Sequence, residues 1–327
     1  MQNIFNGDRL PVRRAIFLGS KRLGLSIFRS LHPLNNDVTW KIIHPDDLRD
    51  PRSVFSQWEQ TAEEFGVDIH LSAARDDTDA VLRQFEPDIA FVCGWYQLLS
   101  AESLGMIRFG AWGVHNSLLP KYRGGSPLPW SIIRGDKTVG SSVFRLSERM
   151  DAGHILCQIR VRNEPEDDIA SILQKIETAM LNKLPAQWAA LLEGTAQVYQ
   201  QDEKQATFAG QRTEPDGLID WSRHATQVHN FVRAQSPPYP CAFTYLGDER
   251  LRILRTRVMA GVYFGTPGQV LRRQSDGGSV VVSTGHDSAV EILSVLVGGR
   301  SVAASSVIPS TSCRLASPCA AVTQHNH

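Results

Sequence analysis

Over the first two thirds of the chain, short apolar runs alternate with segments of helical periodicity. That alternation predicts a mostly parallel α/β sheet. Arg14 to Leu18 reads as a first strand, followed by Gly19-Ser20 and a helix carrying Leu23, Ile27, Phe28 and Leu31. Val38 to Ile43 predicts a second strand, Val54 to Phe65 a helix, and Val67 to Leu71 a third strand. Ile89 to Cys93, entered through Pro87-Asp88, is a continuous apolar run suited to a strand buried on both faces. Trp112 to His115 continues the series, and functional residues are expected where such strands end. Val139 to Leu146 and Ile155 to Val161 are β-rich runs whose connection would present Asp151. Asp168 reads as the N-cap of a long helix with Ile169, Ile172, Leu173, Ile176, Met180 and Leu184 on one face. Pro185 lacks an amide hydrogen and is expected to kink or interrupt it.

The pattern changes after Gln200. Residues 201–211 are polar and read as a linker. Beyond Trp221, an amphipathic segment at Val228 to Ala234 and a turn-rich Ser236-Pro237-Pro238-Tyr239-Pro240 precede five short β patterns. These lie at Ala242 to Tyr245, Arg250 to Val258, Gly268 to Leu271, Ser279 to Val282 and Val290 to Val295, and suggest a small β-barrel of OB-like kind. The expected fold class is therefore α/β, a mostly parallel Rossmann-like sheet with a smaller C-terminal β-barrel domain. The expected boundaries are 1–200 for the catalytic part, 201–211 for the linker, 212–311 for the barrel and 312–327 for a disordered tail.

Composition narrows the class. Thirty-four basic residues balance 34 acidic ones, so the global positive field of an obligate nucleic-acid binder is missing. No secretory h-region and no long apolar run is seen, so a cytoplasmic protein without a membrane span is expected. The five cysteines are scattered without a Cys-x-x-Cys pair, which argues against a disulfide framework or a zinc site. No metal is expected.

The candidate chemistry lies in two strings. The first is Gly113-Val114-His115-Asn116-Ser117-Leu118-Leu119-Pro120-Lys121-Tyr122-Arg123-Gly124-Gly125, and the second is Met150-Asp151-Ala152-Gly153-His154-Ile155-Leu156. A lone histidine or aspartate is more often structural. Together, in this order and spacing, the strings resemble the active site of the formyltransferases that use 10-formyltetrahydrofolate. That family includes methionyl-tRNA formyltransferase and the formyltransferases of nucleotide-linked amino sugars, and the look is closest to the 4-amino-4-deoxy-L-arabinose type. The resemblance covers approximately Arg14 to Arg300, with Phe208-Ala209-Gly210-Gln211-Arg212 and Asp220-Trp221 at the entry to the C-terminal barrel.

The resemblance implies N-formyl transfer from 10-formyltetrahydrofolate to an amine. Such acyl transfer needs a donor to the developing oxyanion and a group that accepts the amine proton. It implies His115 as oxyanion donor and Asp151 as the group that orients it and helps deprotonate the amine. Asn116 is carried as a third catalytic candidate, although a residue one step past His115 points elsewhere along the loop. The family's asparagine two residues before the histidine is replaced by Gly113, which removes a side-chain donor. Backbone around Cys93, Gly94, Trp95, Tyr96 and Gln97 is implied to border the folate pteridine. Lys121, Arg123 and Gly124 are candidates to meet a phosphate of the acceptor or the folate tail.

For the acceptor, a nucleotide-linked amino sugar or similar small amine is favoured over initiator tRNA, and nucleic acid is not expected as a partner. The stretch 44–52 after the second strand has three aspartates and two arginines where tRNA enzymes carry a glycine- and lysine-rich loop. From Phe208 onward eleven arginines and no lysine face eight acids, a net of only +3. Methionyl-tRNA formyltransferase is the alternative. Gly113 keeps open a reading of another class, a weakened folate- or nucleotide-binding protein. A homodimer is compatible with the sequence.

Overall fold

The computed structural model describes residues 9–34, 37–50, 52–274 and 278–316. Its chain groups into two units. The first holds the chain up to Pro127 with Gly140–Val161 and Gln174–Ala209; the second holds Leu128–Val139, Arg162–Leu173 and the chain from Gly210. The expected division at 200 differs from this in two segments, 128–139 and 162–173, which group with the later unit. Polar ties within that unit account for the difference. The buried Arg233 donates to Asn163 Oδ1 at 2.6 Å and to the Asp167 carbonyl at 2.9 Å. The Arg212 guanidinium lies 4.8 Å from the Trp130 ring centroid and 5.3 Å from that of Phe231.

The first unit is built on β1 (Arg14–Gly19), α1 (Lys21–Leu31), β2 (Thr39–Pro45), α2 (Phe55–Phe65), β3 (Asp68–Ser72), α3 (Arg75–Phe85) and β4 (Ile89–Cys93). After these come α4 (Ala101–Met106), β5 (Ala111–His115), β6 (Arg123–Gly124), α5 (Pro127–Ile133), β7 (Thr138–Arg145), β8 (Ile155–Arg162), α6 (Ile169–Leu192) and β9 (Phe208–Ala209), of which α5 and the first turn of α6 group with the second unit. Seven strands form one sheet in the order β3-β2-β1-β4-β5-β7-β8. The first five run parallel, and β7 pairs antiparallel with β5. The order reverses between β1 and β4, so the strand ends there open a crevice where α/β proteins bind ligands.

The continuous apolar runs of β1 and β4 follow from burial on both faces. Phe17 stacks on Phe91 at 5.5 Å between ring centroids and meets Phe28 edge-on at 5.4 Å, while Trp188 packs on Phe91 at 5.4 Å. Asp168 caps α6 as expected, its carboxylate accepting from the Ser171 amide at 2.9 Å. Pro185 does not interrupt that helix, which runs unbroken from Ile169 to Leu192. Burial of Leu184, Trp188 and Leu191 on either side of the proline offsets the lost hydrogen bond. The expected linker is ordered as well: Gln201 is buried, and β9 pairs in parallel with β6.

The second unit carries α7 (Ala225–Arg233) and the strands β10 (Ala242–Leu246), β11 (Glu249–Val258), β12 (Val270–Arg273), β13 (Val280–Thr284), β14 (Ser288–Val297), β15 (Arg300–Ala303) and β16 (Leu315–Ala316). They form an antiparallel sheet, β12-β13-β14-β11-β10-β16 with β15 on β14, that curls as a half-barrel around Val228, Val232, Ile253, Val282 and Ile292. Leu315 and Ala316 pair with β10, so the start of the expected tail is ordered; residues 317–327 lie outside the described residues.

Candidate active site

His115 ends β5, and the loop that follows is fixed by its own serines. Ser117 Oγ donates to the Lys121 carbonyl at 2.6 Å, and Ser142 Oγ on β7 donates to the Ser117 carbonyl at 2.7 Å while accepting from the Leu119 amide. The loop thereby folds back and sets the Tyr122 carbonyl 2.8 Å from His115 Nε2. A carbonyl only accepts, so Nε2 carries a hydrogen and Nδ1 is the atom left for chemistry. Asp151 Oδ2 lies 3.6 Å from that Nδ1. The carboxylate is held by the Gly124 amide, which donates to Oδ2 at 2.7 Å. Gly124 must be glycine: its φ is +99°, and a Cβ there would sit 2.6 Å from the Ala209 carbonyl oxygen.

Asp151 lies on the β7–β8 connection, as the sequence predicts, and its φ of +49° is unusual for a residue with a Cβ. On either side of it, Arg149, Gly153 and His154 line a cavity of about 520 Å³ that reaches α4 and is floored by Leu104 and Leu146. Arg145 is on its wall. The guanidinium lies against Gly110, where a Cβ would approach Nε to 2.5 Å. It has no hydrogen bond or ion pair among the described residues, and burial holds its pKa below the ordinary value. The Trp95 Nε1 and Gln97 Oε1 atoms are also buried without a partner. Neither Trp95 nor Gln97 lines this cavity, so the unpaired Arg145 guanidinium is the orphaned donor on its wall, suited to the polar edge of a ligand. Another hollow of about 640 Å³, between β8 and α6, contains none of these groups.

The structure redistributes several expected roles. It brings His115 and Asp151 together but not Asn116, whose Oδ1 accepts from Ser141 Oγ at 2.7 Å. Ser142 is the register partner of His115, so Ser141 points to the opposite face of β7. Arg123 is not free for a phosphate. It is 1% exposed and spends its guanidinium on Gln201 and, bidentately, on Glu203 at 2.9 and 3.0 Å. Hydrogen bonds from Arg123 hold the Glu203 carboxyl below the usual range. The Gly124 amide is committed to Asp151. Lys121 stays exposed, with no side-chain bond among the described residues.

Of the five residues expected beside the donor, three are spent on structure. The Cys93 carbonyl accepts from the Ser20 amide at 3.1 Å and the Gly94 carbonyl from Ser20 Oγ at 2.6 Å. The Cys93 thiol is pushed up to about 12 by burial and is no nucleophile. Tyr96 Oη donates to Asp47 at 3.0 Å and lies 2.9 Å from Ser20 Oγ. Trp95 and Gln97 keep free atoms. Sequence reasoning missed Arg145, Gln201, Glu203 and the Tyr122 carbonyl. Tyr122 lies inside the first string but acts through its backbone, which no side-chain pattern marks, and the other three are single polar groups outside either string.

Comparison with known proteins agrees with the fold. Residues 49–187 match the model of the formyl transferase family, and residues 212–311 match that of the formyl transferase C-terminal domain. A methionyl-tRNA formyltransferase of Desulfotalea psychrophila is 32% identical over 279 residues, covering 84% of this chain and 85% of that protein. Among solved structures, an N-formyltransferase from Helicobacter canadensis in complex with folinic acid and dTDP-3-aminofucose superposes with a TM-score of 0.64 at 12% identity, over 86% of this chain and 98% of that one. HypX from Aquifex aeolicus, in complex with tetrahydrofolic acid, gives a TM-score of 0.61 at 18% identity over 91% of this chain. This chain spans about half the length of HypX, 47%. The chain belongs to the formyltransferase family and is an enzyme of that class. The donor that goes with membership is 10-formyltetrahydrofolate.

Proposed function

We propose that the enzyme formylates the primary amine of a nucleotide-linked amino sugar, with His115 and Asp151 as its catalytic pair. The observation that carries the chemistry is the 3.6 Å separation of His115 Nδ1 from Asp151 Oδ2, beside a cavity with an unpaired guanidinium. The donor, when bound, supplies an activated formyl carbon. The chain's own groups do the rest. With Nε2 bonded to the Tyr122 carbonyl, His115 presents the Nδ1 lone pair to the proton of the attacking amine. The Asp151 carboxylate, kept in place by the Gly124 amide, stabilises the imidazolium that results, which passes its proton to the donor's leaving nitrogen as that nitrogen's bond to the formyl carbon breaks. Arg145, on the cavity wall, holds and orients the donor's ring edge. This reverses the expectation that His115 acts first as an oxyanion donor: the nitrogen nearest Asp151 serves as a base in its neutral form.

The sugar reading rests on the stretch after β2, where Asp47 and Asp50 neutralise Lys21 and Asp50 also pairs with Arg52, leaving Arg49 as the stretch's one basic side chain without an ion pair among the described residues. The second reading, methionyl-tRNA as acceptor, is favoured by the 32% identical relative. The test begins with folinic acid binding by calorimetry and tetrahydrofolate release from 10-formyltetrahydrofolate with a panel of nucleotide-linked amino sugars. His115→Ala and Asp151→Asn are each expected to lower kcat by a factor on the order of a hundred or more, with circular dichroism unchanged. Near-normal turnover in either folded variant removes that residue from the mechanism.

A further inference from the structure

We infer that Gln201 is a positioning residue that sets the catalytic aspartate, an inference that rests on the reading of His115 and Asp151 above. Gln201 is 5% exposed, and its amide is used at every position. Nε2 donates to the carbonyl of Asp151 at 2.7 Å and to that of Gly153 at 2.8 Å. Oε1 accepts from Arg123 Nη2 at 2.7 Å and from Nε at 3.1 Å. The orientation of the amide is not ambiguous: a guanidinium only donates and a carbonyl only accepts, so one end must face Arg123 and the other the Asp151 loop.

These bonds close a ring around Asp151. Its backbone is gripped by Gln201, Gln201 by Arg123, and Arg123 is followed by Gly124, whose amide holds the Asp151 carboxylate at 2.7 Å. Glu203 anchors Arg123 from the far side, and the β6–β9 pairing ties residues 208–209 to 123–124. A φ of +49° costs free energy for a residue with a Cβ and persists only when the surroundings enforce it. Gln201 bonds the carbonyls on both sides of the Asp151–Gly153 turn, so it is the group that enforces it. The ring fixes the carboxylate against His115 without any of its other members touching the imidazole.

Two variants separate positioning from bulk stability. Gln201→Glu keeps an acceptor for Arg123, now as an ion pair, but turns a carboxylate oxygen toward two carbonyls. Gln201→Met keeps the volume and removes all four bonds. In both, kcat for tetrahydrofolate release is expected to fall on the order of tenfold to a hundredfold, the cost of a displacement of about 1 Å at a catalytic group. The donor KM is expected to change less than kcat does, and the kcat–pH profile to move, because Gln201 meets the cavity only through the Gly153 backbone and bonds Asp151 directly. A lower Tm with unchanged kcat, KM and pH profile would make Gln201 merely structural and overturn the inference. Wild-type protein that neither binds folinic acid nor turns over the donor would instead defeat the functional reading. In that case a crystal structure of Gln201→Glu decides. Asp151 displaced from His115, with φ relaxed to a negative value, supports the inference, and an unmoved Asp151 overturns it.

Discussion

Gly113 stands where the resemblance implies an asparagine, and its surroundings limit what a side chain there could do. A Cβ built at Gly113 would lie 2.9 Å from Leu146 Cδ2, the flexible end of a side chain that also floors the cavity. A side chain at 113 would therefore compete with Leu146 for the same space. Gly113→Asn alone is expected to leave kcat within about twofold, because Leu146 blocks the space its amide must enter. Gly113→Asn with Leu146→Ala is expected to raise kcat on the order of tenfold or more over Leu146→Ala alone, as a recovered oxyanion donor should. Steady-state kinetics over the double-mutant cycle reads the coupling, and strict additivity would show that the two positions do not compete. At this scale the sequence is uneven evidence. His115 and Asp151 are legible because each stands in a distinctive string. Arg145 and Gln201 are not, since their importance comes from what they lack or hold in three dimensions.

Elements bring the next layer of order, and the ends of β1, β2 and β4 are tied by charge. Lys21, at the start of α1, donates to Asp47 at 2.5 Å and to Asp50 at 2.9 Å, and lies 5.4 Å from the Tyr96 ring centroid. Burial alone would lower the Lys21 pKa, but its bonds to Asp47, Tyr96 and Asp50 leave it raised. Burial alone would raise Asp47, but hydrogen bonds from Lys21 and Ser53 leave it depressed; Asp50 is depressed chiefly by Arg52. The depressed carboxylates stabilise the fold above the ordinary carboxylate pKa of about 3.9, and that stability is lost as pH falls through their folded values. The raised lysine acts below about 10.4, and its share is lost as pH rises past its folded value. Lys21→Met is therefore expected to cost about 1–2 kcal/mol at pH 7, with the gap to wild type shrinking toward pH 3. Thermal melts across that range check it, and a gap constant with pH would mean that the lysine contributes packing alone.

The same scale shows why some elements were legible and others were not. Long apolar runs gave β1, β4 and the five main strands of the second unit within a few residues, because burial writes a period into the sequence. The two-residue strands β6 and β9 carry no period, and so 201–211 looked like a linker. The four arginines of β11 show how a local irregularity escapes a pattern. Simple alternation separates 250 and 252 from 255 and 257, yet register shifts around Arg255 put Arg255 and Arg257 back on the exposed side.

At the scale of the whole molecule, the acceptor is decided by how much positive charge remains unspent. The chain is neutral, with 34 basic and 34 acidic residues. Much of the arginine in the second unit is already paired. Arg250 and Arg252 share Glu214, Arg257 holds Glu291, Arg223 holds Asp220, and Arg273 donates to the carbonyls of Ile308 and Ser305. An acceptor stem bound through six to ten phosphates would lose roughly a thousandfold or more in affinity between 50 and 200 mM salt. A nucleotide-linked sugar offers only a diphosphate, for which the exposed ammonium of Lys121, without a bond among the described residues, is a candidate. Formylation of an amino sugar nucleotide is therefore expected, with kcat/KM changing less than about tenfold over that salt range. Lys121→Ala is expected to raise the acceptor KM severalfold and leave the donor KM alone. Methionyl-tRNA should be assayed beside it at both salt concentrations. Efficient formylation of methionyl-tRNA with a steep salt slope, and none of any sugar nucleotide, would sink the acceptor assignment. It would leave His115, Asp151 and the folate cavity in their roles, because their chemistry depends only on an amine reaching Nδ1.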